Sequence, residues 1–578
     1  MKKRRLLAAE LVLRKVPVAP RKKLRRAVEK EANRRTVCTS SLLHMDNVVR
    51  AFDDIYKACS VIIGSERLYE ILKDKEVVPE PGVLTEILHE KGEAGLPEYI
   101  SDLALLEWSI NTVTQTGSVH ASHEDGITIN PTVHLLELSW KNLLSLIDQT
   151  TATASHTPVH EREFLIIWKG PKTGKTFYRP ASNEDLLALK IIFEKLSAEN
   201  ISNEEQVSIG TLDAIVDRAI KEGILLAPPS NLTRDPSVFS SNEYVDHRFL
   251  TSRSFTLQWH ITQSCDLHCK HCYDRSNRSN MALEDAITVL DDLHAFCKSK
   301  NVRGAISFTG GNPLMYPHFM DLYREASKRN FTISILGNPA SREVIEEIVS
   351  IQKPSLFQLS LEGLPEQNDF IRGKGHFRRV IEFLGTLRDM NIFSMIMLTL
   401  TNRNMSDILP LGELLEDKVD RFHFNRLSMV GEGSNLCLPE RSEYISFLES
   451  YMKATERNRI LGLKDNMFSI LRYKNGLKPF GGCTTYGCGA AFNFLAVLSD
   501  GEVHACRKFP SPVGNIFKQS FADIYESDIA KLYRNGCEEC RSCVIRPVCG
   551  GCLAVSHSLG LNIFEEKDPF CFMHDTSS

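Results

Sequence analysis

The chain has 578 residues and a mass of 65.2 kDa, too long for one ordinary core, so roughly two to four domains are expected. Its 42% hydrophobic and 25% charged residues are a globular composition, and the net charge of -4 gives no general reason to expect nucleic-acid binding. No apolar run approaches the ~18 residues of a membrane span and the basic N-terminus lacks an uninterrupted secretory core, so the chain is read as cytoplasmic.

Residues 1–44 are basic, with Arg21, Lys22, Lys23, Arg25 and Arg26 close together, and read as a solvated, disordered extension. Met45 begins a better globular pattern, so this extension is also readable as sequence upstream of a later start. Residues 45–150 place apolar side chains at helical spacing, as in Leu103, Leu105, Leu106, Trp108 and Ile110, and predict a helical domain without evident chemistry. In 151–235 two β-rich runs, 164–168 and 176–178, flank a turn-rich stretch, and helical patterns follow at 183–197 and 209–222. That layout predicts a small winged-helix-like domain. Gly174-Lys175-Thr176 invites a phosphate-loop reading, but the required spacing fails by a residue and no helix follows. Residues 236–250 close a polar, Pro-containing stretch read as a linker.

From 251 to 460 strand and helix patterns alternate. Strands are predicted at 255–261, 304–309, 331–336, 355–361, 392–400 and 421–427, with helices between them such as 282–298 and 376–389. The expected class is α/β, a partial (β/α)6 TIM-type barrel whose strand ends and following loops hold the chemistry. Residues 461–578 lose this rhythm and become rich in Cys and Gly.

Twelve of the sixteen cysteines lie between 265 and 272 or beyond 482. In a long chain without an export signal, clustered cysteines read as metal ligands before disulfides. Cys265, Cys269 and Cys272 share one short loop directly after the first predicted barrel strand. Three thiolates leave one iron of an iron–sulfur cluster open, whereas a structural zinc would need a fourth ligand such as His268 or His271. Spacing alone leaves both open. The C-terminal run is Cys483, Cys488, a Gly501-x4-Cys506 turn, then Cys540, Cys543, Cys549, Cys552 and Cys571. Two Cys-x2-Cys pairs are also a zinc-ribbon pattern.

The Cys-x3-Cys-x2-Cys loop resembles the hallmark of the radical S-adenosylmethionine (SAM) superfamily. Gly310-Gly311-Asn312-Pro313 after the second strand is similar to the family's Gly-Gly-Glu-Pro, with Asn312 for the usual Glu, and Ser360 and Arg372 follow at matching places. The resemblance implies a [4Fe–4S] cluster on Cys265, Cys269 and Cys272, and SAM held by Gly310, Gly311, Asn312, Pro313, Ser360 and Arg372. It further implies cleavage of SAM to a 5′-deoxyadenosyl radical with an electron from a flavodoxin- or ferredoxin-type donor. No residue of this sequence can be named as a catalytic acid or base.

The last cysteines resemble the SPASM extension of peptide-modifying enzymes, which implies two auxiliary [4Fe–4S] clusters. One would take Cys483, Cys488, Cys506 and Cys552, the other Cys540, Cys543, Cys549 and Cys571. The Cys549–Cys552 spacing is one residue shorter than the family's, which leaves Cys537 as an alternative to Cys552. Cys38, Cys59, Cys297 and Cys437 are expected to be buried structural thiols. Arg507 stands where the sulfatase-maturing branch carries Asp, which disfavours formylglycine formation. The winged-helix-like region is similar to the leader-binding domain of maturases acting on ribosomally made (RiPP) peptides, and the run at 96–108 resembles large maturases of thio(seleno)oxazole-type systems. Together these imply a precursor peptide as substrate. The alternatives are a radical SAM enzyme acting on a small molecule or cofactor, and an iron–sulfur or zinc-containing winged-helix regulator.

Overall fold

A computed structural model of the protein describes residues 54–64, 66–67, 71, 84, 88, 95–117, 126–147, 157–196, 201 and 209–575. The basic extension expected at 1–44 lies outside the described residues. The chain divides into two units, Met1–Pro229 and Ser230–Ser578.

The first unit is built around one unusual strand. The run Glu-Phe-Leu-Ile-Ile-Trp-Lys is apolar without alternation, which suits a strand covered on both faces. Two short strands precede it, β1 (Thr128–Ile129) and β2 (His134–Leu138), both within the stretch expected to be helical. Then come β3 (Glu163–Lys169) and β4 (Thr176–Pro180), and the sheet order is β2-β3-β4, antiparallel throughout. Leu165 and Ile167 share a core with helix α1 (Ile100–Gln115). Ile166 and Trp168, on the other face, pack with α2 (Asn183–Phe193) and α3 (Ile209–Glu222). A distant partner strand explains why β2 was not legible: β3 lies 25 residues on, without a hairpin turn to announce the pairing. Gly170 N–H donates to the Lys175 carbonyl at 2.8 Å, so the phosphate-loop-like stretch is the β3–β4 hairpin turn. After α3, β5 (Leu225–Leu226) pairs antiparallel with β1.

The second unit begins with residues read as a linker. They are packed, not free: Leu232, Val245 and Phe249 belong to its core, and Arg234 is 4% exposed. Proline and polar residues signalled irregular backbone correctly but carry no information on burial. Six parallel strands follow, β6 (Ser254–Thr262), β7 (Arg303–Gly310), β8 (Thr332–Leu336), β9 (Leu356–Ser360), β10 (Ser394–Leu400) and β11 (Arg421–Arg426). Each pairs with the next in chain order. Helices α4 (Leu283–Ser299), α5 (Phe319–Lys328), α6 (Arg342–Ile351), α7 (Pro365–Arg372), α8 (His376–Asp389) and α9 (Ile408–Leu414) lie between them. Alternation assigns the faces. Phe255, Leu257, Trp259, Ile306, Phe308, Phe357 and Leu359 are buried in the core, Phe255 with Phe296 of α4 at 4.8 Å between ring centroids. Their neighbours Thr309, Gln358, Ser360, Thr399 and Asn425 turn a polar face inward.

Three further strands were not expected from the sequence: β12 (Phe494–Val497), β13 (Glu502–His504) and β14 (Pro512–Asn515). β12 runs parallel beside β6, and β13 and β14 add antiparallel, making a nine-stranded sheet that carries the Cys-rich region. Of the thiols expected to be structural, Cys59 and Cys297 are buried, Cys437 is exposed in a loop, and Cys38 lies outside the described residues. Among the described residues no helix is long and apolar enough to cross a membrane.

Candidate active site

Parallel barrels present their loops at the C-terminal strand ends. There Cys265, Cys269 and Cys272, on the loop after β6, line a cavity of about 470 Å³. Gly310, Gly311, Ser360 and Arg372 line it too. A Cβ on Gly311 would stand 2.2 Å from the Ser264 carbonyl oxygen and 2.7 Å from that of Gln263. Gly310 adopts φ +131° with the Thr262 oxygen 2.3 Å from its would-be Cβ. Both positions therefore require glycine, and the requirement presses the β7 loop directly against the cysteine loop.

Asn312 and Pro313 do not line the cavity. The Asn312 side chain donates to Asp266 at 3.0 Å and accepts from the Leu314 N–H at 3.3 Å, closing the short turn Pro313–Met315. An amide that does reach the cavity beside the cysteine loop is Asn338, just beyond β8, which donates to Asp266 at 2.6 Å and lies 3.7 Å from Cys265 Sγ. Nothing in the linear sequence singled it out.

Glu362 organises the charge here. Arg372 donates to Glu362 Oε1 through Nε and Nη2 at 2.8 and 2.6 Å, and its Nη1 lies 3.6 Å from Cys269 Sγ. His271 Nε2 stands 2.9 Å from the same carboxylate oxygen, and the Thr399 N–H donates to Oε2 at 2.7 Å. Burial alone would raise the Glu362 pKa, but the His271 and Arg372 charges outweigh it and hold the carboxyl at about 2. One buried carboxylate thus fixes a residue of the cysteine loop and a guanidinium aimed at its middle thiol. Burial pushes the Cys265 and Cys269 thiols up, so a bound metal would displace their protons.

The remaining wall is cationic. Arg507 donates to Thr309 Oγ1 at 3.1 Å and Lys508 to the Arg426 carbonyl at 3.0 Å. Both side chains line the cavity. Tyr273 shares a 2.9 Å hydrogen bond with His260 Nε2, and burial, with Arg507 nearby, depresses the His260 pKa to about 3, keeping it neutral.

Two thiol groups occupy the C-terminal region. Burial pushes Cys488 up to about 12 and Cys506 to about 11, with the thiols of Cys483 and Cys552 beside both. Burial likewise raises Cys549, with Cys543 and Cys571 close by, while Cys540 neighbours Cys543 and Cys549. Cys537 lies against this second group: a hydrogen bond with Cys540 lowers it to about 7. Cys552 lies with the first group.

Several residues unnoticed in the sequence hold these loops. Arg426, at the end of β11, donates to Asp568 at 2.6 and 2.9 Å and to Asp465 at 2.8 Å. Asp568 also accepts the Cys552 and Phe570 N–H groups, each at 2.9 Å. Asn466 accepts the Cys483 N–H at 2.6 Å and donates to the Gly551 carbonyl. Gly550 and Gly551, at φ +68° and +61°, form the left-handed pair that makes the short Cys549–Cys552 connection possible.

The donor sets fit iron–sulfur clusters. Each is made of thiols alone, and the first supplies three in a cavity with room and glycine backbone for a ligand on the open iron. Among the described residues no group of three or more His, Cys, Asp or Glu side chains stands close enough to hold a single metal ion.

The Radical SAM superfamily matches residues 259–415, which span the cysteine loop and the glycine loop. The chain is a radical SAM enzyme of α/β fold. An iron–sulfur cluster-binding SPASM domain matches residues 488–544, so its cofactors are a [4Fe–4S] cluster, SAM and auxiliary iron–sulfur. Curated relatives include heme synthases and peptide maturases. The AdoMet-dependent heme synthase of Methanosarcina barkeri is 25% identical over 348 residues, covering 56% of this chain and 97% of that protein. The subtilosin biosynthesis protein AlbA of Bacillus subtilis is 25% identical over 313 residues, 50% of this chain and 65% of that one. The mycofactocin maturase MftC of Mycolicibacterium smegmatis is 25% identical over 340 residues, 54% and 82% of the two chains. Among solved structures, Streptococcus suis SuiB bound to precursor peptide SuiA superposes with TM-score 0.47 and 16% identity, covering 71% of this chain and 96% of that one.

Proposed function

We propose that the chain is a peptide maturase that modifies a ribosomally made precursor and carries three [4Fe–4S] clusters. The first sits on Cys265, Cys269 and Cys272, the second on Cys483, Cys488, Cys506 and Cys552, and the third on Cys540, Cys543, Cys549 and Cys571. Gly310, Gly311, Ser360 and Arg372 hold SAM, with Asn338 added to the set and Asn312 and Pro313 shaping the loop behind it. When bound, the first cluster and SAM supply a 5′-deoxyadenosyl radical that takes hydrogen from a substrate carbon. Arg372, held by Glu362, keeps positive charge beside Cys269, and the polar inward face of β9–β11 positions the substrate. A low-potential donor of flavodoxin or ferredoxin type delivers the electron.

The observation that carries the peptide reading is the first unit's sheet. No strand pairs with the far side of β4 among the described residues, and Phe177, on that strand, is 40% exposed. Phe177 lies opposite Trp168 and stacks on it at 5.5 Å, so it extends the face covered by α2 and α3 out to the open edge. An added leader strand would pair with that edge and dock apolar side chains on this surface. Tethering on one chain raises the effective concentration of the core peptide at the barrel. Candidate precursors are short peptides encoded beside the gene. A fluorescent copy should bind the full-length enzyme, and Phe177→Glu should weaken binding at least tenfold while uncoupled SAM cleavage persists. Equal affinity in Phe177→Glu would remove the leader role from this edge.

The heme synthase likeness favours a second reading, a small-molecule or cofactor substrate. That relative is matched over 97% of its own length, and a small-molecule substrate would give the first unit's open sheet edge no task. Formation of heme by a variant lacking Met1–Pro229 would support it. The regulator alternative is set aside by the radical SAM match.

A further inference from the structure

Three arginines converge between the two C-terminal thiol groups, and none has an acid for a partner. A cavity of about 20 Å³, room for about one water, is lined by Cys488 of one group, Cys537 and Cys540 at the other, and Arg234, Arg534 and Arg546. Arg234 and Arg546 are 4% and 5% exposed. Arg234 donates only to carbonyl oxygens, those of Arg534 at 2.5 Å, Tyr486 at 2.8 Å and Cys488 at 2.5 Å. Its guanidinium lies between the rings of Phe492 and Phe239, 4.0 and 4.6 Å from their centroids. Arg546 donates to the Asn535 carbonyl at 2.6 Å and Arg534 lies 3.7 Å over Tyr525. The nearby carboxylates are engaged elsewhere, Glu538 with Arg541 at 2.9 Å and Glu526 with Lys300 at 2.6 Å. Arg234, Arg534 and Arg546 each retain one buried guanidinium nitrogen without a hydrogen-bond acceptor.

Burying a cation away from an anion costs several kcal/mol, and three together repel one another. Carbonyl dipoles and ring faces offset only part of that. The anions within reach are those the thiols would become. A four-iron cluster on four thiolates is anionic, and gains a further negative charge on one-electron reduction; surrounding positive charge favours the reduced form. We propose that Arg234, Arg534 and Arg546 are the shared counter-charge of the two auxiliary clusters and raise the reduction potentials of both. Arg234 reaches them from the segment at 230–250, which precedes both matched regions. The inference rests on the auxiliary clusters being bound, but not on which substrate the enzyme takes.

The test is an EPR-monitored redox titration of full-length, anaerobically reconstituted protein. It is run in a background with Cys265, Cys269 and Cys272 changed to Ala, so that only the auxiliary clusters report. Arg234→Gln and Arg546→Gln should between them lower the equilibrium constants for reduction of both clusters about tenfold or more, about 59 mV per decade for one electron. Arg234→Lys and Arg546→Lys, which keep the charge, should recover most of the shift. Unchanged potentials in both Gln variants at full iron content would overturn the proposal. Where Gln costs iron, retention in the Lys variants supports the charge requirement, and equal loss in Gln and Lys variants overturns it in favour of shape. A parent protein that takes up no auxiliary iron would overturn the cluster assignment as well.

Discussion

Asp568→Asn should weaken the second unit and its cluster loading together. Asp568 is 4% exposed and Arg426 1%, and they meet through two charge-assisted bonds at 2.6 and 2.9 Å. Asn keeps the shape but removes the charge and one acceptor. Breaking a buried pair from one side costs about 3–5 kcal/mol. Asp465 remains bonded to Arg426 at 2.8 Å, which places the expected loss near about 3 kcal/mol at the lower end of that range. At about 2 °C per kcal/mol for a large domain, the melting temperature should fall by about 6 °C. The same carboxylate accepts the Cys552 and Phe570 N–H groups, so the loops of Cys552 and Cys571 lose their anchor. Differential scanning fluorimetry and iron analysis read the two effects on one sample. Unchanged melting and full iron content would refute the claim that this pair fastens the cysteine loops to the barrel.

The remaining predictions are shorter. Anaerobic reconstitution should load about twelve irons per chain, and changing Cys265, Cys269 and Cys272 to Ala should leave about eight; saturation with two zinc ions and no sulfide would contradict all three cluster sites. Gly311→Ala forces a Cβ against the Ser264 and Gln263 carbonyls, an overpacking cost of about 1–3 kcal/mol, and should weaken SAM binding about tenfold or more by calorimetry. Glu362 has a folded pKa of about 2 against an ordinary 4.5, so its stabilisation, about 3 kcal/mol, is fully present above about pH 4.5 and is lost as the pH falls through about 2. Denaturant titrations from pH 5 to pH 2 should show that loss in the wild type and not in Glu362→Gln. Removing Met1–Pro229 should abolish modification of a precursor peptide and spare uncoupled SAM cleavage, as product analysis by mass spectrometry would show.

The barrel was legible because its strands are short runs with apolar residues on one face, bounded by helical patterns, and the expected 304–309, 331–336 and 421–427 fall within a residue or so of the observed strands. The cysteine loop was legible because thiols in a chain of this length have few other uses. What stayed hidden was everything set by contacts distant in sequence. β2 pairs across 25 residues, β12 joins β6 across more than 230, and strands of three to five residues carry too little pattern to show alone. Asp568, Asn466 and Asn338 are ordinary polar residues in the sequence and become structural only through Arg426, Cys483 and Asp266. Asn312 was singled out by its motif position, and its side chain bonds to Asp266 and to its own turn. Arg234 is likewise ordinary in composition and acquires its partners only where three carbonyls receive it.

The most direct test of the account is cleavage of SAM itself. Reconstituted full-length protein, given SAM and a strong reductant under anaerobic conditions, should release 5′-deoxyadenosine, measured by liquid chromatography. Cys269→Ala should release none, because it removes the thiol that Arg372 faces at 3.6 Å and with it the cluster that binds SAM. Release of 5′-deoxyadenosine by Cys269→Ala at the wild-type rate, or none from a wild type carrying its full iron, would contradict the assignment of this cavity as the radical SAM site.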